Sequence, residues 1–300
     1  MTTQQNVGII GLGSMGYGMA KSVLAAGHIT HGFDINSATA ARFLAEGGAP
    51  GALNAVLGQL DALVVVVLNA AQTKAVLFGD EGGVRKMKAG SVVMACATVP
   101  PAFARDMAEQ CAAYGVHYLD APISGGAVKA AHGMLSVLAS GCAAGFAAAQ
   151  GILDAMAEKV FNLGDQAGAG SAMKAVNQLL AGVHIAAMAE AMTFGITQGV
   201  SPEKFVEVIP ECAGTSWMLE NRAPHIVAGD YTPHSSVNIW PKDLGIVLDI
   251  AQTAGFAAPV TQAALGQFME AAARGLGGED DAAVAKVYAG QAGVKLPGQS

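Results

Sequence analysis

A glycine-rich turn near the N-terminus constrains the fold of this chain more than any other feature. The apolar run Val7-Gly8-Ile9-Ile10 predicts a buried strand, and it leads directly into Gly11-Leu12-Gly13-Ser14-Met15-Gly16, which opens a helix-like segment. In such a turn the first glycine permits a tight bend, the second lets the backbone approach a pyrophosphate, and the third lets helix and strand pack closely. The phosphates would meet N–H groups at the positive end of the helix. The turn therefore predicts a dinucleotide-binding site.

An acidic residue, Asp34, supports this prediction. It directly follows the second predicted strand, 21 residues after Gly13, where a carboxylate that accepts a hydrogen bond from a ribose 2′-OH is expected. The same carboxylate would repel a 2′-phosphate, and Ile35-Asn36-Ser37 offers no arginine to bind one. NAD is therefore favoured over NADP. An alternative role for Asp34 is the N-cap of a helix that begins near Ser37.

Apolar runs and helix-like segments alternate through the first half of the chain. The predicted strands are Val7–Ile10, Ile29–Phe33, Ala62–Leu68, Ser91–Ala95 and Val116–Leu119, and the intervening helical segments include Met15–Ala26 and Phe103–Tyr114. This alternation predicts an α/β fold with a Rossmann-type, doubly wound parallel sheet covered on both faces. Leu68 and Asn69 lie at the carboxyl end of their predicted strand, where such a sheet binds its ligand.

The pattern changes beyond Gly164. The stretch Ala172–Gln198 is typical of one long helix, and the remaining sequence is helical between its prolines. We therefore predict a dinucleotide-binding domain at residues 1–164, an interdomain helix at 165–198, and an all-helical domain for substrate binding and oligomerisation at 199–300.

Composition excludes several classes of protein. The chain is 52% hydrophobic with a formal net charge of −7, which excludes intrinsic disorder and gives no basic surface for a nucleic acid. The apolar stretches Val137–Ala157 and Leu179–Ile196 each contain polar or charged residues, so we expect neither to span a membrane. Met1–Asn6 has no cationic, apolar leader pattern. We expect a soluble, cytoplasmic protein.

The cysteines and histidines indicate no metal or disulfide framework. The four cysteines form no C-x-x-C pair, which is typical of reduced thiols in a cytosolic chain. His28 and His31 are close in sequence, but no cysteine or acid joins them before Asp34. We therefore expect no metal site.

Four segments resemble motifs of the β-hydroxyacid dehydrogenase family and follow one another in the order that the family has. This family includes 3-hydroxyisobutyrate dehydrogenase and tartronate semialdehyde reductase. They are the glycine-rich turn, Asp120–Gly126, Gly170–Gln178 and Lys242–Gly245. The resemblance implies a Rossmann domain followed by an all-helical domain. It also implies hydride transfer between a nicotinamide dinucleotide and the hydroxyl carbon of a small hydroxy acid, in a homodimer or homotetramer.

The resemblance assigns the catalytic base to Lys174. This lysine lies in an apolar helical stretch, where burial would disfavour its charged form and adapt it to accept a proton. Asn177 and Gln178 share its helical face and would bind substrate oxygens. The alternative is a lysine that extends from a core helix to solvent.

The remaining site residues are also implied by the resemblance. Ser124, Gly125 and Gly126 would bind the substrate carboxylate, although an ordinary loop is the alternative. Thr98 would lie near the nicotinamide ribose, and Lys242 would contact the cofactor or remain a solvated surface lysine.

Some positions depart from the family pattern. Ala97 replaces a usual serine, Lys129 a usual glycine, and Gln178 a usual second asparagine, so we expect an altered substrate preference with the chemistry retained. Trp217 and Trp240 either line the substrate cavity or pack in the core.

Three functions are compatible with these observations. The first is an NAD-dependent dehydrogenase of a branch that acts on a four-carbon sugar acid, which Leu179–Ala186, Ser216–Met218, Glu220–Arg222 and Ala139–Gly141 resemble. The second is a 3-hydroxyisobutyrate dehydrogenase or an NAD(P)H-dependent reductase of tartronate or succinic semialdehyde. The third is a non-catalytic dinucleotide-binding sensor or scaffold, which would have no need of Lys174.

Overall fold

The computed structural model describes residues 3–80 and 82–298. The chain divides into two compact units, Met1–Lys174 and Ala175–Ser300. A long helix, α8 (Ala169–Thr197), contains the boundary between them. Its predicted extent, Ala172–Gln198, is confirmed to within a turn.

The first unit is built on a parallel sheet of five strands in the order β2-β1-β3-β4-β5. Its strands are β1 (Asn6–Ile10), β2 (Ile29–Phe33), β3 (Ala62–Val65), β4 (Val92–Ala95) and β5 (His117–Asp120). Alternate residues point to opposite faces, so Val64 and Met94 enter one buried cluster while Leu63 and Val93 enter another. The prediction of a doubly wound sheet with both faces covered is confirmed.

Seven α-helices in the described part of the chain before residue 157 accompany this sheet. They are α1 (Gly16–Ala25), α2 (Ser37–Ala45), α3 (Leu53–Val56), α4 (Ala70–Phe78), α5 (Pro101–Ala112), α6 (Gly126–Ala131) and α7 (Ala143–Met156).

The third strand is shorter than predicted. Its pairing with β1 ends at Ile10–Val65, because β1 itself stops at the bend of Gly11. Residues 66–68 of the predicted strand therefore leave the sheet, and Leu68 is 60% exposed. The valine-rich composition predicted the strand, but the length of its neighbour determines where it ends.

A second sheet was not predicted. It contains β6 (Ile123–Ser124), β7 (Leu135–Ala139) and β8 (Ala157–Asn162), in the order β6-β7-β8. β6 has only two residues, and β7 lies beside alanine- and glycine-rich sequence, so neither has a strong strand pattern.

Among the described residues, the second unit has only helices as its regular elements. After α8 they are α9 (Pro202–Val208), α10 (Trp217–Ala228), α11 (Ile239–Thr253), α12 (Pro259–Ala271) and α13 (Ala285–Ala292), with short 3₁₀ and π turns. Ile185, Met188 and Met192 of α8 belong to its hydrophobic core. The prediction of an all-helical second half is confirmed.

A buried charged cluster joins two parts of this helical unit. Arg222 lies 2.5 Å from Asp281, and the Trp240 indole N–H donates to the same carboxylate over 3.0 Å. Asp280 beside it accepts from the His225 ring over 3.0 Å and from the backbone N–H groups of His234 and Ala282. These bonds hold the pKa of Asp280 below its usual value in spite of its burial.

His225, His234 and Asp280 also place three potential metal-ligand atoms within 4.8 Å of one another, a grouping that sequence spacing did not reveal. Because Asp280 already accepts these hydrogen bonds and caps the turn that begins at Asp281, we interpret the cluster as structural. His28, by contrast, accepts from the backbone N–H of Gln5.

Helix α8 is long and apolar enough to cross a membrane by length and composition, with a mean hydropathy of 1.6 over its most apolar window. Length and composition alone therefore do not exclude a span, although the stretch contains His184 and Glu190. A core helix of a soluble protein has the same composition, and α8 contributes Ile185 and Met188 to a core. However, only 39% of the most apolar 18-residue stretch of α8 is buried, so an apolar face of this helix is left exposed.

Gly18 tests the packing of α1 against α6. A Cβ on Gly18 would lie 2.7 Å from the Ala131 nitrogen and 2.9 Å from the Ala130 carbonyl carbon. Backbone cannot move aside as a flexible side chain can, so we expect Gly18→Ala to lower the free energy of unfolding by roughly 1–3 kcal/mol. Chemical denaturation measures this change.

The matched control is Gly266→Ala in α12, where a Cβ would meet no atom within 4 Å. It should leave stability unchanged or raise it by up to about 1 kcal/mol. Equal destabilisation by both variants would contradict the packing described for α1 and α6.

Candidate active site

The candidate residues of the first unit follow the strands of its parallel sheet. Gly11 follows β1, Asp34 follows β2, Thr98 lies three residues beyond β4, and the segment Asp120–Gly126 continues from β5. The carboxyl ends of parallel strands meet at one edge of a sheet, which is where doubly wound folds bind their ligands. The topology therefore brings these residues to the same edge.

The three glycines of the turn have the three environments that the sequence predicted. Gly11 has a φ of 93°, and a Cβ there would lie 2.2 Å from the Val66 carbonyl oxygen. At Gly16 a Cβ would lie 1.8 Å from the Gly11 oxygen and 3.3 Å from the Val66 side chain. A Cβ at Gly13 would meet no atom within 4 Å. Gly11 and Gly16 are therefore required by the protein's own packing, and Gly13 leaves space for a ligand.

Leu12, Ser14 and Met15 complete the turn, and α1 begins at Gly16 with Met15 as its N-cap. Met15 provides no side-chain cap. The Tyr17 N–H donates to the Gly13 carbonyl oxygen over 3.0 Å, and the first N–H groups of a helix otherwise lack partners within it. This arrangement fits a pyrophosphate, which is the group that the turn was predicted to bind.

Asp34 is held by the backbone around the turn. One carboxylate oxygen accepts from the Leu12 N–H over 2.7 Å, and the other accepts from the Asn36 N–H over 2.7 Å. The cap of α2 is Asn36, whose side chain accepts from the Ala38 N–H, so the alternative role of Asp34 as that cap was wrong. The carboxylate is instead fixed beside the turn, with lone pairs remaining for a ribose hydroxyl.

The two residues predicted after β3 have local roles. Asn69 is the N-cap of α4 and accepts from the Gln72 N–H over 2.9 Å. The Leu68 N–H donates to the Gln72 side chain over 2.8 Å, which closes the same turn from the other side. The asparagine that precedes this helix was a readable capping signal that our sequence reading did not use.

The segment predicted to bind the substrate carboxylate turns sharply. Ser124 ends β6, Gly125 has a φ of 133°, and Gly126 has a φ of 77° and begins α6. Two successive residues with positive φ need glycine, because side chains rarely adopt that conformation. The backbone conformation therefore requires glycine at both positions, and the carboxylate-binding role of the segment stays a prediction.

Lys174 is buried, with 8% of its surface exposed. Its Nζ donates to the Ile123 carbonyl oxygen over 2.9 Å. The alternative of a lysine that extends to solvent was therefore wrong. The contact places the amine against the residue that precedes Ser124, so the predicted base adjoins the predicted carboxylate-binding segment.

In the second unit, the predicted residues of α8 and α11 meet through Asp243. The Gln178 amide donates to Asp243 over 2.5 Å, and Lys242 forms an ion pair with the same carboxylate. The Asn177 side-chain amide in turn donates to the side-chain oxygen Oε1 of Gln178 over 2.9 Å. Asp243 is 3% exposed. Sequence reasoning quoted it in a motif but gave it no role, because its partner lies 65 residues away.

The residues with open roles are now placed. Trp240 is buried, stacks on Phe268 and bonds Asp281, so it packs in the core, whereas Trp217 is 61% exposed. Lys129 lies 3.6 Å from Glu158 in a half-exposed ion pair.

Comparison with known proteins agrees with the geometry. A family model of the NAD-binding domain of 6-phosphogluconate dehydrogenase matches residues 6–164, and one of the NAD-binding domain of NADP-dependent 3-hydroxyisobutyrate dehydrogenase matches residues 168–288. The chain is 49% identical to an L-threonate dehydrogenase of Cupriavidus necator, over 99% of both chains. It is 47% identical to an L-threonate dehydrogenase of Escherichia coli K12, over 98% of this chain and 97% of the relative.

A solved structure supports the same assignment. The crystal structure of a 3-hydroxyisobutyrate dehydrogenase from Salmonella typhimurium superposes with a TM-score of 0.88 at 48% identity, covering 94% of this chain and 99% of that one. The chain therefore belongs to the 3-hydroxyisobutyrate dehydrogenase-like family of nicotinamide-dependent oxidoreductases. It is a hydroxyacid dehydrogenase that uses NAD(P).

Gly13 separates cofactor binding from folding. Since a Cβ there meets no protein atom within 4 Å, we expect Gly13→Ala to melt within about 1 °C of the wild type without ligand, because ΔΔG is near zero. The added methyl would occupy space that the pyrophosphate needs, so the Kd for NAD should rise at least about tenfold, or roughly 1.4 kcal/mol. Calorimetric titration with NAD measures this, and an unchanged Kd would contradict the placement of the phosphates.

Proposed function

We propose that this enzyme oxidises L-threonate, with NAD as the hydride acceptor and Lys174 as the general base. The observation that carries the proposal is the buried Lys174 amine, bonded to the Ile123 carbonyl directly before Ser124-Gly125-Gly126. A base and a carboxylate-binding segment in contact are what the oxidation of a hydroxy acid needs. The relatives from C. necator and E. coli, which carry the name L-threonate dehydrogenase, support the substrate.

The cofactor preference is inferred from Asp34. NAD, when bound, supplies the nicotinamide carbon that receives the hydride. The turn Gly11–Gly16 holds the pyrophosphate, and Asp34, fixed by the Leu12 and Asn36 N–H groups, accepts from the adenosine ribose. A 2′-phosphate would bring a second negative charge against this carboxylate, which favours NAD over NADP. Leu68, Asn69 and Thr98 at the same edge and Lys242 of α11 are proposed to contact the remainder of the cofactor.

Lys174 must be neutral to accept the proton of the substrate hydroxyl. The Ile123 carbonyl accepts one N–H of this amine and so fixes the position of its nitrogen. The lone pair of the neutral amine would take the proton from the hydroxyl oxygen, while the hydride would pass from the carbon that bears this hydroxyl to the nicotinamide. The resulting ammonium retains its bond to Ile123, and a charged donor strengthens that bond.

The substrate contacts follow from the chemistry of threonate, which carries a hydroxyl on every carbon beyond its carboxylate. Ser124, Gly125 and Gly126 supply one hydroxyl and two N–H groups for the carboxylate. Asn177 and Gln178 supply amides for the additional hydroxyls, and the bond from Gln178 to Asp243 fixes the orientation of both amides. The glutamine at 178 is the departure that suits a more hydroxylated substrate.

A second candidate substrate is 3-hydroxyisobutyrate, because the Salmonella structure at 48% identity is named for it. This acid has a single hydroxyl and would leave the Asn177–Gln178 amides without a substrate partner. A non-catalytic sensor is not supported, since the relatives are dehydrogenases.

The wider context is also part of the proposal. We retain the division into a cofactor domain (1–164), a helix carrying the base (165–198) and a helical domain (199–300), in a cytoplasmic homodimer or homotetramer. Support for self-association comes from α8, whose exposed residues Val176, Leu180 and Phe194 lie on one side of the helix. Ala187 and Ala191 extend the same apolar face. A second copy of the chain would cover it.

The substrate and base are tested by following NAD reduction with L-threonate, D-erythronate, 3-hydroxyisobutyrate and glycerate, each repeated with NADP. L-Threonate with NAD should give the highest kcat/KM, and Lys174→Ala should lower kcat by roughly 10²–10⁴-fold with an unchanged Kd for NAD. The matched control is Lys159→Ala, an exposed lysine of β8. Preference for another acid would overturn the substrate, and full activity of Lys174→Ala would overturn the base.

The apolar face of α8 is tested by light scattering. Leu180→Glu places a charge in the face that we propose is covered, so the mass should shift toward the monomer. Val260→Glu alters an exposed valine of α12 and should leave the mass unchanged. A wild-type protein that is monomeric at micromolar concentration would contradict the proposal.

A further inference from the structure

We propose that Asp120 is a positioning residue for catalysis: its buried carboxylate holds the first turn of α8 and thereby fixes Lys174 relative to the substrate-binding segment. The inference rests on the proposed role of Lys174 as the base. Asp120 is 1% exposed and ends β5, directly before Ala121-Pro122-Ile123-Ser124. It therefore belongs to the same short segment as Ile123.

The carboxylate accepts hydrogen bonds from the start of the helix through both of its oxygens. One oxygen accepts from the Ser171 hydroxyl over 2.6 Å. The other accepts from the Ser171 N–H over 2.8 Å and from the Gly168 N–H over 2.9 Å. The first N–H groups of a helix lack partners within it and carry a partial positive charge. Asp120 thus caps the N-terminus of α8, although it lies about fifty positions earlier in the sequence.

A neighbouring serine completes this cap. The Gly170 N–H donates to the Ser140 hydroxyl over 2.9 Å, and that hydroxyl lies 3.4 Å from Asp120. The backbones of Asp120 and Ser140 also exchange two hydrogen bonds. At Gly170 a Cβ would lie 2.3 Å from the Leu138 carbonyl oxygen and 2.7 Å from that of Asp120. The helix therefore starts in direct contact with the ends of β5 and β7. Shifting the helix by one residue would place a side chain against these carbonyl oxygens, which the spacing excludes.

Two consecutive turns of α8 are consequently bound to the four-residue segment Asp120–Ile123. Asp120 accepts hydrogen bonds from Gly168 and Ser171. Three residues further along both the helix and the segment, the Lys174 amine donates to the Ile123 carbonyl oxygen. If the first turn were to loosen, the Lys174–Ile123 bond would loosen with it. The base would then lose its fixed position relative to Ser124, and positional errors of this kind reduce catalysis strongly.

The carboxylate form is needed, and an amide would not replace it. Every contact that Asp120 makes here is with a donor, and an asparagine would turn its NH₂ group toward one of them. Burial raises the pKa of Asp120, while the bonds from Ser171, Gly168 and Ser140 act in the opposite direction. These donors therefore favour the ionised form that caps the helix.

The test is Asp120→Asn, read through Lys174. Competitive labelling with acetic anhydride across a pH series, followed by peptide mass spectrometry, measures the reactivity and pKa of the Lys174 amine without needing activity. We expect the reactivity of Lys174 to rise several-fold toward that of exposed Lys204, because its amine is released to solvent. In the same variant kcat should fall at least tenfold, the Kd for NAD should stay unchanged, and the pH profile of kcat/KM should shift with the labelling pKa.

Two further variants complete the design. Asp61→Asn is the matched control, since Asp61 also accepts a backbone N–H, from Asn6 over 2.7 Å, but lies before β3 at the opposite edge of the sheet. It should change neither Lys174 labelling nor the pH profile. Ser171→Ala removes the hydroxyl bond and keeps the carboxylate. It should therefore change Lys174 labelling and the pH profile in the same direction as Asp120→Asn, but to a smaller extent. If Asp120→Asn does not fold, Ser171→Ala decides the question.

The outcomes separate the two claims. Unchanged Lys174 labelling and an unchanged pH profile in a folded Asp120→Asn or Ser171→Ala protein would overturn the positioning role. A wild type that oxidises no hydroxy acid would overturn the proposed function, while the labelling would still report whether Asp120 holds Lys174.

Discussion

The contact between the Lys174 amine and the Ile123 carbonyl is the interaction on which the account of this enzyme depends. It buries a basic group, satisfies one of its donors, and joins the helix that carries the base to the segment proposed to bind the substrate carboxylate. The proposed proton transfer needs the amine at a fixed position beside this segment, and the bond to the Ile123 carbonyl oxygen fixes it. Without this contact, the position of the Lys174 amine relative to Ser124 would not be fixed.

The parallel sheet makes this arrangement possible. Because its five strands share one direction, the turn Gly11–Gly16, Asp34 and the segment after β5 all emerge at the same edge. Val66 has a part in this through its close approach to Gly11 and Gly16, so the packing that shapes the turn also ends β3. The shape of the turn that we propose binds the cofactor and the length of a central strand thus depend on the same packing.

Sequence reasoning succeeded where the constraint is local. The glycine spacing predicted two positions that admit no side chain and one that leaves space, and the structure has all three. It failed where the constraint joins distant segments: Asp243 meets Gln178 65 residues away, and Asp120 meets Ser171 51 residues away. The two tryptophans were indistinguishable in sequence, because the burial of Trp240 depends on Phe268 and Asp281. Asn69 was a local signal that could have been read.

The base role of Lys174 is tested most directly by chemical rescue. Lys174→Ala, loaded with NAD, would be assayed with the preferred hydroxy acid in the presence of a series of small primary amines of increasing pKa. Turnover should return with amine concentration and rise with the pKa of the amine, because the cavity left by the lysine accepts an external base. A variant that binds NAD but is restored by none of the amines would contradict the account.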